Sequence, residues 1–250
     1  MNDVPIKCVE VFGFRVFSDD LDKIPLRQRC ATVSTISPNS YGIATRDAEF
    51  RQALAEADYL VLDGVYFALG SLLLDGRSIK PNQGPDVFFF FMRKLNARRG
   101  RVFFLGSSED TLAKIRQRAA LDYPQLSVGG YSPPFKPQFD DADNRLMLER
   151  INAFEADVVF VGMTAPKQEK WAHRHRDRLN ARLVISIGAV FDWYAGNEKM
   201  VAPIWWKLRL GWLVRTIRRP QILRRYPSIF IFFWHLGLAV VGIKRFQHGK

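Results

Sequence analysis

Three stretches of the chain group residue types that could hold or activate a polar substrate. Asp63 ends the apolar run Tyr59-Leu-Val-Leu62 and is followed by Gly64. A carboxylate at the end of a strand, with a glycine that admits backbone or ligand beside it, suits a general base or a ligand for a sugar hydroxyl. The same position equally suits a cap for the segment that follows. Thr35-Ile-Ser-Pro-Asn-Ser-Tyr41 follows the apolar start Ala31 to Val33. Its hydroxyls and its amide, on Thr35, Ser37 and Asn39, could bind phosphate or sugar at a strand-to-helix junction, although Ser-Pro-Asn-Ser is also an ordinary turn and cap. The third stretch, Val161-Gly-Met-Thr-Ala-Pro-Lys-Gln-Glu-Lys-Trp171, crowds Lys167, Gln168 and Glu169 behind another apolar run. Pro166 fits the first position of a helix, Lys167 offers a point charge for phosphate, and Gln168 offers donors and an acceptor for hydroxyls. Taken alone, this stretch reads as a capped helix start with exposed charges, and Glu169 as a residue that merely favours that start.

The elements that must position these residues repeat one pattern. Tyr59 to Gly64, Val102 to Gly106, Val158 to Gly162 and Leu183 to Gly188 are each an apolar run closed by Gly or Asp-Gly. Such runs read as buried parallel strands. Between them, Asp47 to Ala57, Ser108 to Ala120, Asp141 to Phe154 and Pro166 to Leu179 read as helices, with starts at Ser108 or Glu109 and at Asp140. Alternating β and α elements predict an α/β fold, a Rossmann-like parallel sheet with helices on both faces. Ligands bind such sheets at the carboxyl ends of the strands, so Asp63, Ser107, Thr164 to Gln168 and Asp192 are expected along one rim. Gly129-Gly-Tyr-Ser-Pro-Pro-Phe-Lys-Pro137 reads as a proline-rich loop between two βα units.

The bulk properties narrow the classes. A chain of 250 residues, 48% apolar and 25% charged, can bury a substantial globular core. Two cysteines, Cys8 and Cys30, are too few for a disulfide framework or a cysteine-based zinc site, and a reducing compartment is expected. The opening residues lack a continuous apolar run, so no secretory signal is expected and the protein is placed in the cytoplasm. GxGxxG after a strand, GxxxxGK[ST], GxSxG and HExxH are all missing, and His173, His175, His235 and His248 form no cluster, so no metal and no cofactor are expected.

The net charge of +12 belongs to the tail, where residues 199 to 250 carry eleven Lys or Arg and no acid after Glu198. Ile204 to Arg225 reads as a basic amphipathic helix broken at Pro220, and Ile229 to Ile243 as an apolar run too short to span a bilayer. The division expected is a catalytic domain over residues 1–200 and a basic, apolar, membrane-associating appendage over 201–250. An interfacial segment on an anionic membrane explains the missing acids, and a final core helix with a solvated basic face is the alternative. Nucleic acid is the weaker partner, because Ile229 to Ile243 is too apolar for a groove-reading surface, and none is expected to bind. Arg215, Arg218, Arg219, Arg224 and Arg225 could neutralise a diphosphate with forked donors.

Four of these features, in order, resemble the WecG/TagA/CpsF family of glycosyltransferases. They are Thr35-Ile-Ser-Pro-Asn-Ser40, Asp63-Gly64, Gly162 to Trp171, and Phe191-Asp-Trp-Tyr-Ala-Gly196 with Ala202-Pro203. The resemblance covers about residues 30 to 226 and implies metal-independent, inverting transfer of a sugar from a UDP-sugar to a polyprenyl-diphosphate-linked saccharide at the cytoplasmic membrane face. It implies that Asp63 is the catalytic base, that Thr35 and Gln168 line the pocket, and that the tail supplies arginines, here Arg215 with Arg224 or Arg225. Ser37, Asn39, Gly64, Lys167 and Asp192 complete the substrate-binding set so implied, and related proteins suggest a homo-oligomer. The chain departs from the family pattern at Ser37, where an asparagine is usual, and at Gly211-Trp212, where Glu-Trp is usual. Glucose, β-1,4-linked in exopolysaccharide assembly, is the donor sugar expected, with N-acetylmannosamine or its uronic acid as the alternative. A non-catalytic basic membrane or nucleic-acid module would explain the tail but leaves Asp63 without a task.

Overall fold

The structure is a computed structural model that describes residues 6–26, 29–80, 82–198, 204–205, 216, 220–244 and 246. Its centre is a six-stranded, wholly parallel sheet built from β3 (Ala31–Ile36), β4 (Tyr59–Leu62), β5 (Arg101–Gly106), β6 (Ser127–Tyr131), β7 (Val158–Gly162) and β8 (Leu183–Ser186), in the order β4-β3-β8-β7-β5-β6. All four residues of β4 and of β8 are buried, as strands covered on both faces require. A separate antiparallel hairpin, β1 (Cys8–Val11) with β2 (Phe14–Phe17), packs against β4 at one end of the sheet.

Helices cover both faces, as the alternating pattern predicts. On one face, α4 (Gly84–Asn96), α5 (Glu109–Asp122) and α8 (Ala189–Tyr194) close over Phe88, Phe104, Phe160 and Phe191. On the other, α1 (Pro38–Ala44), α2 (Ala48–Ala55), α6 (Asp141–Phe154) and α7 (Lys167–His175) cover two further clusters, and α3 (Val65–Asp75) adds Phe67. The expected starts carry real caps. Asp47 accepts from the Phe50 N–H at 3.0 Å, Ser108 from Thr111 at 3.2 Å and Asp140 from Asp143 at 2.8 Å.

Gly129 and Gly130 form β6 instead of a loop. Packing explains the pair, since a Cβ on Gly129 would lie 2.8 Å from the Phe103 ring and 2.9 Å from that of Phe154, and one on Gly130 3.1 Å from the Phe104 carbonyl oxygen. The proline-rich loop therefore begins at Ser132. The hairpin, α3 and the phenylalanine-rich α4 have no counterpart in the strand-and-helix pattern read from the sequence.

The boundary expected near residue 200, and most of the basic stretch from Ile204, lie outside the described residues. The apolar run that follows forms α9 (Tyr226–Val240), preceded by a short 3-10 turn, Pro220–Arg225. One side of α9 belongs to the core. Phe232 is fully buried, stacks on Phe67 at 5.4 Å and lies 4.9 Å from Phe12, while Tyr41 Oη and His235 Nδ1 share a hydrogen bond of 2.8 Å. The approach to α1 is so close that a Cβ on Gly42 would meet the Ser228 carbonyl oxygen, so only glycine fits. Among the described residues no helix is long and apolar enough to cross a membrane.

On α7 the helical spacing 168, 171, 172 and 175 turns Gln168, Trp171, Ala172 and His175 inward, and Glu169 goes with them. Glu169 is 2% exposed, so its expected role as an exposed charge at a helix start does not hold. Burial pushes its carboxyl up from the ordinary 4.5 to about 7.

Two outcomes follow from this packing. Phe232→Ala should lower stability by about 3–5 kcal/mol, read by denaturant unfolding, because it leaves a cavity between α9, α1 and α3. Below about pH 4.5 Glu169 is protonated in both the folded and unfolded chain, whereas up to about pH 7 only the folded chain keeps the proton. Stability therefore falls as pH rises through that window. Glu169→Gln, which stays neutral, should match the parent at low pH and exceed it by about 3 kcal/mol above pH 7, with thermal melts across pH as the readout. A pH-independent difference would contradict the buried-acid account.

Candidate active site

Asp63 is fixed by backbone before its side chain is considered. Its N–H donates to the Ile36 carbonyl at 2.8 Å, one step past the β3–β4 ladder, and the residue is exposed at the carboxyl edge of the sheet. Gly64 then turns the chain into α3 with φ +92°, a conformation side chains rarely adopt, and Gly64, not Asp63, occupies the cap of that helix. Thr35 pairs with Val61 across β3 and β4. Strand alternation carried one pleat further places Thr35 and Asp63 on the same sheet face. Ser37 caps α1, accepting from the Ser40 N–H at 3.2 Å with the two hydroxyls 3.0 Å apart, and Asn39 sits half-buried in the first turn. The ordinary-cap reading of Ser-Pro-Asn-Ser therefore describes what the Ser37 hydroxyl does.

The neighbouring part of the rim is built by β8 and β7. Gln168 is buried, its Oε1 accepts from the Met163 N–H at 3.2 Å and its Nε2 donates to Glu169 Oε1 at 2.8 Å. The amide is thereby fixed in one orientation, with one N–H left over. Glu169 Oε2 is buried with no hydrogen-bond partner among the described residues. Gly188, at the end of β8, is obligatory, because a Cβ there would lie 2.5 Å from the Met163 carbonyl and 2.8 Å from Gln168 Oε1. Lys167 points to the loop after β6, donating to the Lys136 carbonyl at 2.8 Å with its ammonium 4.1 Å from the Phe139 ring centre. Burial lowers the pKa of this ammonium. Asp192 lies half-buried on α8, and its carbonyl accepts from the Glu198 N–H at 3.2 Å. Asn197, in the turn after α8, joins Thr111 at 2.8 Å and Lys114 at 3.0 Å, tying that turn to α5.

The strand order assembles these pieces. Asp63 (β4), Thr35 and Ser37 (β3), Asp192 (after β8) and Gln168 (after β7) follow four adjacent strands, so the expected rim exists. Helix α1 leaves β3 onto one face and α8 leaves the adjoining β8 onto the other, the position at which doubly wound sheets hold ligands in a crevice. Arg224 and Arg225 are exposed on the turn leading into α9, which α1 holds in place, whereas Arg215 lies outside the described residues. A groove of about 780 Å³ lined by Arg116, Tyr131, Glu149 and Arg150 lies against β6, at the opposite end of the sheet from Asp63. Among the described residues no three His, Cys, Asp or Glu side chains form a metal-ligand group. Two contributors escaped the sequence reading. Glu169 was signalled by the buried spacing of its helix, and Asn197 by nothing local, since its partners are on α5.

Comparison with known proteins identifies the family. The model of the "Glycosyl transferase WecG/TagA/CpsF family" matches residues 4–245. Three similar proteins share one name, N-acetylglucosaminyldiphosphoundecaprenol N-acetyl-beta-D-mannosaminyltransferase. That of Bacillus subtilis is 29% identical over 215 residues, covering 85% of this chain and 82% of its own. That of Bacillus spizizenii is 28% identical over 200 residues, covering 80% and 76%. That of Staphylococcus aureus strain MW2 is 24% identical over 213 residues, covering 85% and 82%. With the motifs in order along one sheet edge and the family match over nearly the whole chain, the protein belongs to the WecG/TagA/CpsF family of glycosyltransferases.

Proposed function

We propose that this glycosyltransferase moves N-acetylmannosamine from a UDP-sugar to N-acetylglucosamine carried on a polyprenyl diphosphate, with inversion at the anomeric carbon. The names of the three relatives favour this donor sugar and replace the glucose expected from the sequence. The observation that carries the reading is the position of Asp63, exposed at the end of β4 with its backbone N–H held by the Ile36 carbonyl and on the sheet face of Thr35.

In the proposed step the Asp63 carboxylate takes the proton of the acceptor hydroxyl as its oxygen attacks the anomeric carbon. The bond from that carbon to the diphosphate oxygen breaks on the opposite face, and UDP leaves with the electron pair. Arg224 and Arg225, with Arg215, neutralise the growing charge on the departing diphosphate or the standing charge of the acceptor's own. The remaining N–H of Gln168 and the hydroxyl of Thr35 orient sugar hydroxyls. Ser37, Asn39, Gly64 and Asp192 border the crevice, Gly64 by letting substrate approach the backbone, whereas the Lys167 ammonium is turned to the Lys136 carbonyl after β6. A lipid-linked acceptor requires work at a membrane surface, and the cation-rich, acid-free tail supports peripheral association there.

Asp63→Asn keeps the size of the side chain and removes its basicity. Turnover with UDP-N-acetylmannosamine and a lipid-linked N-acetylglucosamine acceptor should fall by about 10²–10⁴-fold, with an unchanged melting temperature. Near-normal turnover in that variant would remove Asp63 from the mechanism.

A further inference from the structure

Among the described residues Glu169 is the one buried acid, and the proposed transfer step gives it no task. Its Oε1 accepts from Gln168 Nε2 at 2.8 Å, while Oε2 is buried and meets no donor. The other end of the Gln168 amide is gripped as well, because its oxygen accepts from the Met163 N–H and lies against Gly188. An amide held at both ends presents its remaining N–H in one direction only. Without the Glu169 acceptor a buried N–H would be left unpaired, which favours turning the amide out of that direction.

Glu169 also lacks a counter-ion. The strands beneath α7, namely β3, β7 and β8, carry no ionisable side chain, their buried polar groups being Thr32, Ser34 and Ser186. The cations of α7 are engaged elsewhere. Lys167 turns to the Lys136 carbonyl, and Lys170 and Arg174 pair with Asp47 and Glu49 at the start of α2. His173 lies 3.7 Å from Glu56 of α2, with Arg176 on the same carboxylate, and burial lowers the pKa of His175 to about 4, which leaves it uncharged. On α6, Asp143 pairs with Lys136.

We propose that Glu169 is a positioning residue, a neutral acid that holds the Gln168 amide with its free N–H toward the crevice. The inference rests on the role given to Gln168 above. A protonated carboxyl tolerates burial and still accepts at Oε1. An ionised one in the same place has neither a cation nor a second donor, so it gains by moving toward water, and that movement withdraws Oε1 from Gln168. Burial pushes the carboxyl up to about 7, so the positioning is complete below that pH and is lost as pH rises through it.

The test compares the full-length parent with Glu169→Gln and Glu169→Leu in transfer from UDP-N-acetylmannosamine to lipid-linked N-acetylglucosamine. The parent's kcat/KM should fall roughly tenfold between about pH 6 and about pH 8. Glu169→Gln, whose amide oxygen accepts in place of Oε1 at every pH, should match the parent at the lower pH and keep that value at the higher. Glu169→Leu offers no acceptor and should lose about tenfold at both, in KM and not in kcat, since the contact to substrate is made in ground and transition states alike. An alkaline fall of equal size in the parent and the Gln variant, or a Leu variant with the parent's kcat/KM, would overturn the proposal. A second measurement needs no sugar. In protein labelled with nitrogen-15 at glutamine, the side-chain amide resonance of Gln168, identified by its loss in Gln168→Leu, should shift with a midpoint near pH 7 in the parent and stay fixed in Glu169→Gln. A resonance indifferent to pH in the parent would equally overturn the positioning. A parent that shows the shift but transfers no N-acetylmannosamine would support the pairing and count against the substrate reading, so the two failures are distinguishable.

Discussion

The site depends on how closely the backbone packs where the parallel strands end. The ends of β5 and β7 approach until a Cβ on Gly106 would stand 2.5 Å from the Gly162 carbonyl, and the ends of β7 and β8 until one on Gly188 would stand 2.5 Å from that of Met163. Larger residues would force the strands apart. These contacts fix where the chain leaves β5, β7 and β8, the last two leading to Gln168 and Asp192. The polar side chains then need little structure of their own to face one crevice.

The same closeness explains the buried polar pair on α7. With Gln168 pressed against Gly188 and bonded to the Met163 N–H, its amide cannot turn over without losing both contacts. Glu169 accepts the amide's inward N–H and is buried, and the burial outweighs the hydrogen bond and raises its pKa. A residue that reads as a charged helix start thus becomes a neutral or costly buried acid that fixes its neighbour. It contacts no proposed substrate and acts through Gln168.

Much of the architecture is legible in the sequence because strands buried on both faces read as unbroken apolar runs and their glycines mark where they stop. Starts at Asp47, Ser108 and Asp140 are equally legible, since one side-chain oxygen and one backbone N–H decide them locally. Gly129-Gly130 misleads because the rings of Phe103 and Phe154 at Gly129 and the Phe104 carbonyl at Gly130, not the local sequence, favour glycine in a strand. The two faces of α9 are hidden for a similar reason. An all-apolar run carries no periodicity from which to read that Phe232 turns inward and Trp234 outward. Asp63 and Gln168 are recognisable as polar residues behind strands, but the adjacency of their strands comes only from the order β4-β3-β8-β7.

The proposed base at the sheet edge and the arginine-rich tail converge on one proposed substrate, a sugar on a lipid diphosphate. The claim is tested most directly by offering the intact protein UDP-linked N-acetylmannosamine, N-acetylmannosaminuronic acid and glucose in turn, with polyprenyl-diphosphate-linked N-acetylglucosamine as acceptor, and determining the product and its anomeric configuration. Transfer of N-acetylmannosamine in preference to the others, giving the β-linked disaccharide, is the predicted result. Retention of the donor's configuration, or no transfer from any of the three, would contradict the account.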